Sequence, residues 1–163
     1  MKQYRYVGPT VIGKQAASSA PVSPIRSIAD LRQFVGQIGG AYSRGNCTLT
    51  FVIDLEGLIR LADRHSEHVA CTRGEDVLSA GEMTFRWTAD HCDVLSVTNQ
   101  STGYCPESTS WDAVHHALTL IGLTPPANFD PQFCFRRCPS CQQINILKDN
   151  WFVCAVCDSE LPA

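Results

Sequence analysis

No apolar run in this chain approaches the ~20 residues of a membrane-spanning helix, and its opening residues, Met1-Lys2-Gln3-Tyr4-Arg5-Tyr6, lack an apolar stretch of signal-peptide length. Basic charge is not in excess either. Thirteen Lys and Arg stand against 16 Asp and Glu, a net charge of −3, so nothing draws the whole chain to nucleic acid or to an anionic membrane. These absences set the expectation of a soluble, cytoplasmic protein in a reducing compartment. What is present, 163 residues with 44% apolar content, suffices for one compact domain and a small appendage.

Cysteine is abundant, with nine residues, and four of them form two knuckles, Cys138-Pro139-Ser140-Cys141 and Cys154-Ala155-Val156-Cys157. Each Cys-x-x-Cys turns two thiolates toward one point. A β-hairpin in the 12 residues between them would bring the pairs together as a tetrahedral S₄ site for one structural Zn²⁺, a zinc ribbon. Two disulfides fit poorly, because nine cysteines cannot all pair and the compartment is read as reducing. A redox Cys-x-x-Cys needs a following helix to depress a thiol pKa. Here Ile144-Asn145-Ile146-Leu147 and Trp151-Phe152-Val153 read instead as strands joined at Asp149-Asn150. Cys47, Cys71, Cys92, Cys105 and Cys134 read as small buried apolar residues.

Upstream, Tyr4 to Ile12 has strand composition interrupted by Gly8-Pro9, and residues 13–26 read as a linker or surface loop because of their Ala, Ser and Pro content. Ser27 and Asp30 supply an N-cap and a first-turn acid for a helix with Ile28, Leu31, Phe34, Val35 and Ile38 on one face, ended by Gly39-Gly40. Thr48–Ile53 and Leu58–Leu61 flank Asp54-Leu55-Glu56-Gly57 as a hairpin. Met83, Phe85 and Trp87 alternate with polar residues, and Val94–Thr98 makes another strand. Trp111, Val114, Ala117, Leu118 and Ile121 are helically spaced, with Thr109 and Asp112 as a capping pair and Gly122 and Pro125-Pro126 as the stop. The predicted fold is α+β: an antiparallel sheet with two covering helices over residues 1–130, then a zinc ribbon over 131–163.

Two polar segments at strand ends are the candidate sites of chemistry. In the first, His65, Glu67 and His68 carry the titratable groups for proton transfer, with Tyr104 of the second as a further candidate. His65, His68 and Cys71 also have metal-ligand residue types, although in a strand they would diverge. In the second segment, Asn99, Gln100, Ser101 and Thr102 are candidate ligand-binding residues. They form either an anion-binding loop of backbone N–H groups or a plain turn in which Gly103 takes a positive φ. No nucleophile, base and orienting group are legible together.

The order His65-Ser66, Ala80-Gly81-Glu82, a strand, then Ser101-Thr102-Gly103-Tyr104-Cys105-Pro106 before a helix resembles a domain whose pattern runs HSS, AG and SGHYxP. That domain occurs in plant calmodulin-binding IQ-motif proteins and in large bacterial proteins of effector or toxin type. The resemblance spans about residues 50 to 123, and His65, Ser66, Ala80, Gly81, Ser101, Tyr104 and Pro106 match. Glu67 replaces the second serine, Thr102-Gly103 replaces Gly-His, and there is no IQ segment. The resemblance implies the fold and a pocket between these loops. It implies no reaction, and Gly103 cannot do the work of a histidine.

Three functions follow. The first is a non-catalytic protein-interaction or regulatory module with a protein partner, of adaptor or toxin-neutralising type. The second is a small enzyme acting on a nucleotide or a protein side chain through the His65 and Tyr104 loops. The third is nucleic-acid binding through the ribbon, whose Trp151 lies near Arg136, Arg137 and Lys148. Asp149, Asp158 and Glu160 match those three cations, which counts against nucleic acid.

Overall fold

A computed structural model describes residues 1–38, 45–88 and 91–163. Its centre is a four-stranded antiparallel sheet made of β1 (Gly45–Ile53), β2 (Ile59–Asp63), β3 (Ser79–Trp87) and β4 (Cys92–Val97), in the order β2-β1-β3-β4. Strand periodicity puts Cys47, Leu49, Phe51 and Ile53 of β1 on one face with Met83, Phe85 and Trp87 of β3, and all are buried. Helix α2 (Ile28–Ile38) covers them with Leu31 and Val35, and α4 (Trp111–Leu120) with Ala113, Val114, Ala117 and Leu118. The α+β class and the two covering helices are therefore observed.

Local hydrogen bonds explain the element ends. The β1–β2 turn is built on Asp54, whose carboxylate accepts the N–H groups of Glu56 (3.0 Å) and Leu58 (2.9 Å) and the Nε–H of Arg60 (2.8 Å), with Gly57 at φ 79°. At the start of α2, Ser27 Oγ accepts the Asp30 N–H (3.1 Å) and the Asp30 carboxylate accepts the Arg26 N–H (2.9 Å). The Gly39-Gly40 stop lies outside the described residues. The expected Thr109–Asp112 cap does not form: a 3₁₀ turn, Ser108–Ser110, leads into α4, and Ser110 Oγ instead meets Ser79 Oγ at 3.0 Å in the buried seam. Gly122, at φ 82°, ends that helix.

The opposite face of the sheet corrects two expectations. The strand expected over Tyr4–Ile12 is reduced to one bridge between Tyr4 and Val77, and helix α1 (Thr10–Ala17) begins directly after Pro9. Proline fixes φ at the helix entrance, and Gln15-Ala16-Ala17 are good helix formers, so sequence that looked like linker propagates the helix. Ala16 is buried with Val52, Val69, Cys71, Ala80 and Tyr104, where α1 packs on the short helix α3 (His68–Thr72). Residues 18–24 have no regular structure. They are strapped down by Arg60, which donates to Val22 O, and by the Ile25 N–H bond to Ile59 O (2.8 Å).

The ribbon also differs from the expected hairpin. Strand β6 (Ile144–Leu147) pairs with β5 (Cys134–Arg137), upstream of the first knuckle, while Trp151–Val153 forms no strand beyond a bridge from Val153 to Glu160. The reason is that each knuckle is itself the turn of a hairpin. In the first, Cys138 N–H bonds Gln143 O (2.9 Å) and Gln142 N–H bonds Cys138 O (3.0 Å). In the second, Cys154 N–H bonds Ser159 O (2.8 Å) and Asp158 N–H bonds Cys154 O (3.1 Å). The fifth residue of each turn, Gln142 and Asp158, has positive φ.

Asn99 joins the two parts. Its Nδ2 donates to Pro106 O (2.8 Å) and Phe133 O (2.9 Å), and its Oδ1 accepts the Phe133 N–H (2.7 Å), from a side chain that is itself fully buried. Asn99→Ala strands three backbone groups at once. It is expected to cost about 3 kcal/mol in urea unfolding, with Asn99→Asp, which keeps only the acceptor, close behind.

Candidate functional site

A polar cleft of about 270 Å³ lies where the two candidate segments meet. Its base is set by one backbone crossing. A Cβ on Gly81 would stand 1.9 Å from Thr98 O and 3.1 Å from Asn99 Cα, so only glycine lets the β4 exit pass over β3. The Gly81 carbonyl accepts a hydrogen bond from His68 Nε2 at 3.0 Å. A carbonyl can only accept, so this nitrogen carries the proton and Nδ1 is left as a lone-pair acceptor. Burial lowers the His68 pKa below 6.5, with the Gly81 bond opposing only part of that, and the ring is neutral at pH 7.

The segment before His68 is a turn rather than the β-type loop expected. Asp63 accepts the His65 N–H on its carboxylate (2.9 Å) and the Ser66 N–H on its carbonyl (2.9 Å), while buried Thr50 Oγ1 faces the carbonyls of Arg64 (3.3 Å) and Ser66 (3.4 Å). Glu67 then stands extended ahead of α3, which ends at Arg73 and Gly74, both with positive φ. This places His65 and Glu67 exposed on the cleft and His68 at its base, and Arg64 Nε lies 3.7 Å from Glu82 Oε1.

From the second segment, Gln100 and Thr102 line the cleft, whereas Asn99 and Ser101 do not. Asn99 is the clamp to the ribbon, and Ser101 is buried with a hydroxyl that has no hydrogen-bond partner among the described residues. Tyr104 does not reach the cleft either. Its Oη donates to Glu75 O (2.9 Å) and meets Thr72 Oγ1 (3.0 Å) beneath α3, and burial pushes the phenol up to about 12. Gly103 is not a positive-φ residue; what favours glycine there is space, since a Cβ would meet Tyr6 Cε2 at 2.9 Å. The Tyr6 ring is cradled by Gly8, Gly13 and Gly103 and lines the cleft, a role that no local pattern announces at a distance of nearly 100 residues.

The candidate metal centre is the second site. The sulfurs of Cys138, Cys141, Cys154 and Cys157 lie within 4.8 Å of one another, with Cys138–Cys157 at 3.5 Å and Cys141–Cys154 at 3.6 Å. A tetrahedral ion with metal–sulfur bonds of ~2.3 Å has sulfur–sulfur edges of ~3.8 Å, against ~2.05 Å in a disulfide, so the four thiols could hold one metal ion. Backbone and side-chain donors support thiolate charge: Cys141 N–H lies 3.5 Å from Cys138 Sγ, and Asn145 Nδ2 lies 3.5 Å from Cys154 Sγ. The N–H of Val156, against some desolvation and with help from Cys157 N–H, Asn145 and Cys141, holds the Cys154 thiol down to about 6. For Cys141 the Gln143 N–H favours the thiolate, but desolvation and three neighbouring sulfurs push it up to about 12.

Among the described residues no other group of three His, Cys, Asp or Glu comes together, so His65, His68 and Cys71 do not assemble a second centre. Cys71 is buried on the helix with its thiol pushed up to about 12. Of the five cysteines read as buried, Cys47, Cys71 and Cys92 are; Cys105 is half-buried and Cys134 exposed. No protein-family model, curated protein or solved structure matches this chain.

Because the folded-state pKa of His68 lies below 6.5, its neutral form adds stability that is fully present above 6.5 and is lost as pH falls through that value toward the folded-state pKa. His68→Gln keeps an N–H for Gly81 without titrating. Urea unfolding across pH 5–7.5 is expected to show a shallower pH slope in His68→Gln than in wild type, and parallel slopes would mean that His68 titrates as in the unfolded chain.

Proposed function

We propose that Cys138, Cys141, Cys154 and Cys157 hold one structural Zn²⁺, and that the chain is a non-catalytic protein-interaction module whose ribbon presents a surface to a protein partner. The observation that carries this is Trp151, 69% exposed beside the metal-dependent turns, with Val156 in the second knuckle 66% exposed. An aromatic ring left in water on a small rigid support is what protein interfaces select, and Trp is the residue most enriched among their energetic anchors. The ribbon's own core is only Cys138, Cys154 and Leu161 with Leu147 and Phe152, too small to hold Trp151 in place without a metal.

Charge favours a protein over nucleic acid once the ion's own ligands are counted. The ribbon's side chains balance, with Arg136, Arg137 and Lys148 against Asp149, Asp158 and Glu160. Four thiolates around a divalent ion leave the centre at −2, so the loaded ribbon is anionic and repels phosphate. The catalytic alternative has one observation in its favour, the presence of His65, Glu67 and His68 on one cleft.

Elemental analysis of the full chain is expected to give one zinc per chain, and Cys138→Ser to lower it at least tenfold. A folded wild-type protein with no metal would overturn the zinc assignment. In a pull-down from the source cell, zinc-loaded wild type should retain a protein that Trp151→Ala, equally folded and loaded, does not. Equal retention by the two, or retention of nucleic acid that salt abolishes, would overturn the interaction surface.

A further inference from the structure

The cleft does not end at Tyr6. A second cavity, of about 500 Å³, shares Tyr6, Glu67, Thr102 and Gly103 with it and continues between the N-terminal segment and the ribbon. Its far walls are Val7, Pro9 and Ile12 on one side and Ile144 with Gln142 and Gln143 on the other. The molecule thus carries a trough with an apolar, amide-rimmed end and a polar end.

The polar end is selective by charge. Arg64 is its cation and lies against the Glu82 carboxylate, whereas Arg137 lines the apolar end, where its Nη1 donates to Gln142 O at 3.0 Å and its charge stays uncancelled among the described residues. Glu67, on the boundary of both cavities, makes no salt bridge among the described residues. Beside it stand the Tyr6 ring, fixed by its three glycines, and the His68 imidazole, which can only accept at Nδ1. A carboxylate, an aromatic ring and a neutral acceptor together fit a cation that donates hydrogen bonds. The chain's net charge of −3, made more negative by metal thiolates, works in the same direction.

We infer that this trough receives an extended segment of the protein partner, with one arginine or lysine side chain of that segment reaching the polar end beside Glu67, Tyr6 and His68. The inference rests on the protein-interaction reading and adds to it the chemistry of what is bound.

The test uses the zinc-loaded full chain and fluorescein-labelled nonapeptides of alternating Thr and Val with Arg, Lys, Glu or norleucine at the centre, followed by fluorescence anisotropy. Arg and Lys peptides should bind about tenfold tighter than Glu or norleucine peptides, and Glu67→Gln should remove most of that preference. Glu67 is exposed, so the variant should fold, and an unchanged melting temperature checks this. Absence of binding by the Arg and Lys peptides, equal binding of all four, or an unchanged preference in Glu67→Gln would overturn the inference. Agmatine binding as tightly as the Arg peptide would also overturn it, since the cleft would then take a small amine alone. Flat anisotropy together with partner capture that needs Trp151 would end this inference and leave the interaction module standing; the reverse pattern would do the opposite.

Discussion

The crossing of the Thr98-Asn99 backbone over Gly81 is the constraint on which the rest of the molecule hangs. It admits no side chain at Gly81, and it fixes three things at one point of the sheet. The Gly81 carbonyl orients His68 and with it the start of α3. The residues that follow the crossing, Gln100 to Gly103, form the facing wall of the cleft. Asn99 itself, pressed inward by the crossing, finds its partners on Pro106 and Phe133 and so sets where the ribbon begins. A buried amide that makes three hydrogen bonds to backbone behaves as a covalent-like staple, since each bond left unmade would bear a desolvation cost.

The two parts joined there are stabilised by different physics. The sheet and its helices bury a continuous apolar cluster that includes Phe51, Phe85, Leu31 and Leu118, so their folding is driven by removal of hydrocarbon from water. The ribbon has almost none of this. Its two knuckles are the same turn made twice, and what relates them is the convergence of four sulfurs on one point. A metal ion held by the four cysteines would supply the ribbon with the folding energy that the sheet domain draws from its apolar cluster.

Sequence pattern revealed whichever features rest on periodicity or on local hydrogen bonding. The amphipathic faces of α2 and α4, the alternation in β3, the Asp54–Gly57 turn and the Ser27 cap were all legible because neighbours in sequence decide them. The four cysteines were legible because their spacing is the geometry. What escaped depends on distant partners. Helix α1 looked like linker because Ala and Ser carry no pattern, and only α3 gives Ala16 a reason to be buried. Asn99 and Tyr104 looked like site residues because polarity in a loop is ambiguous, yet one satisfies backbone at Phe133 and the other backbone at Glu75. The hairpin drawn between the knuckles was misassigned, since a knuckle can itself be the turn and β6 then pairs backward with β5.

Two polar segments that looked like one reactive site thus separate into an outward and an inward set. His65, Glu67, Gln100 and Thr102 face the cleft, while Asn99, Ser101 and Tyr104 hold the walls. The inward set makes the outward one rigid: Tyr104 anchors α3 from below, Asn99 fixes the base of the loop, and the Tyr6 ring fills the space that a side chain at Gly103 would take. A recognition surface gains from such rigidity, because side chains already held in place lose little entropy when a partner arrives. The trough's second wall, Arg137 with Gln142 to Ile144, flanks the first knuckle, whose cysteines could hold a metal ion with those of the second. If the four thiols hold an ion and the trough takes a partner, as proposed above, the two events are linked, since the ion that folds the ribbon would also complete the wall.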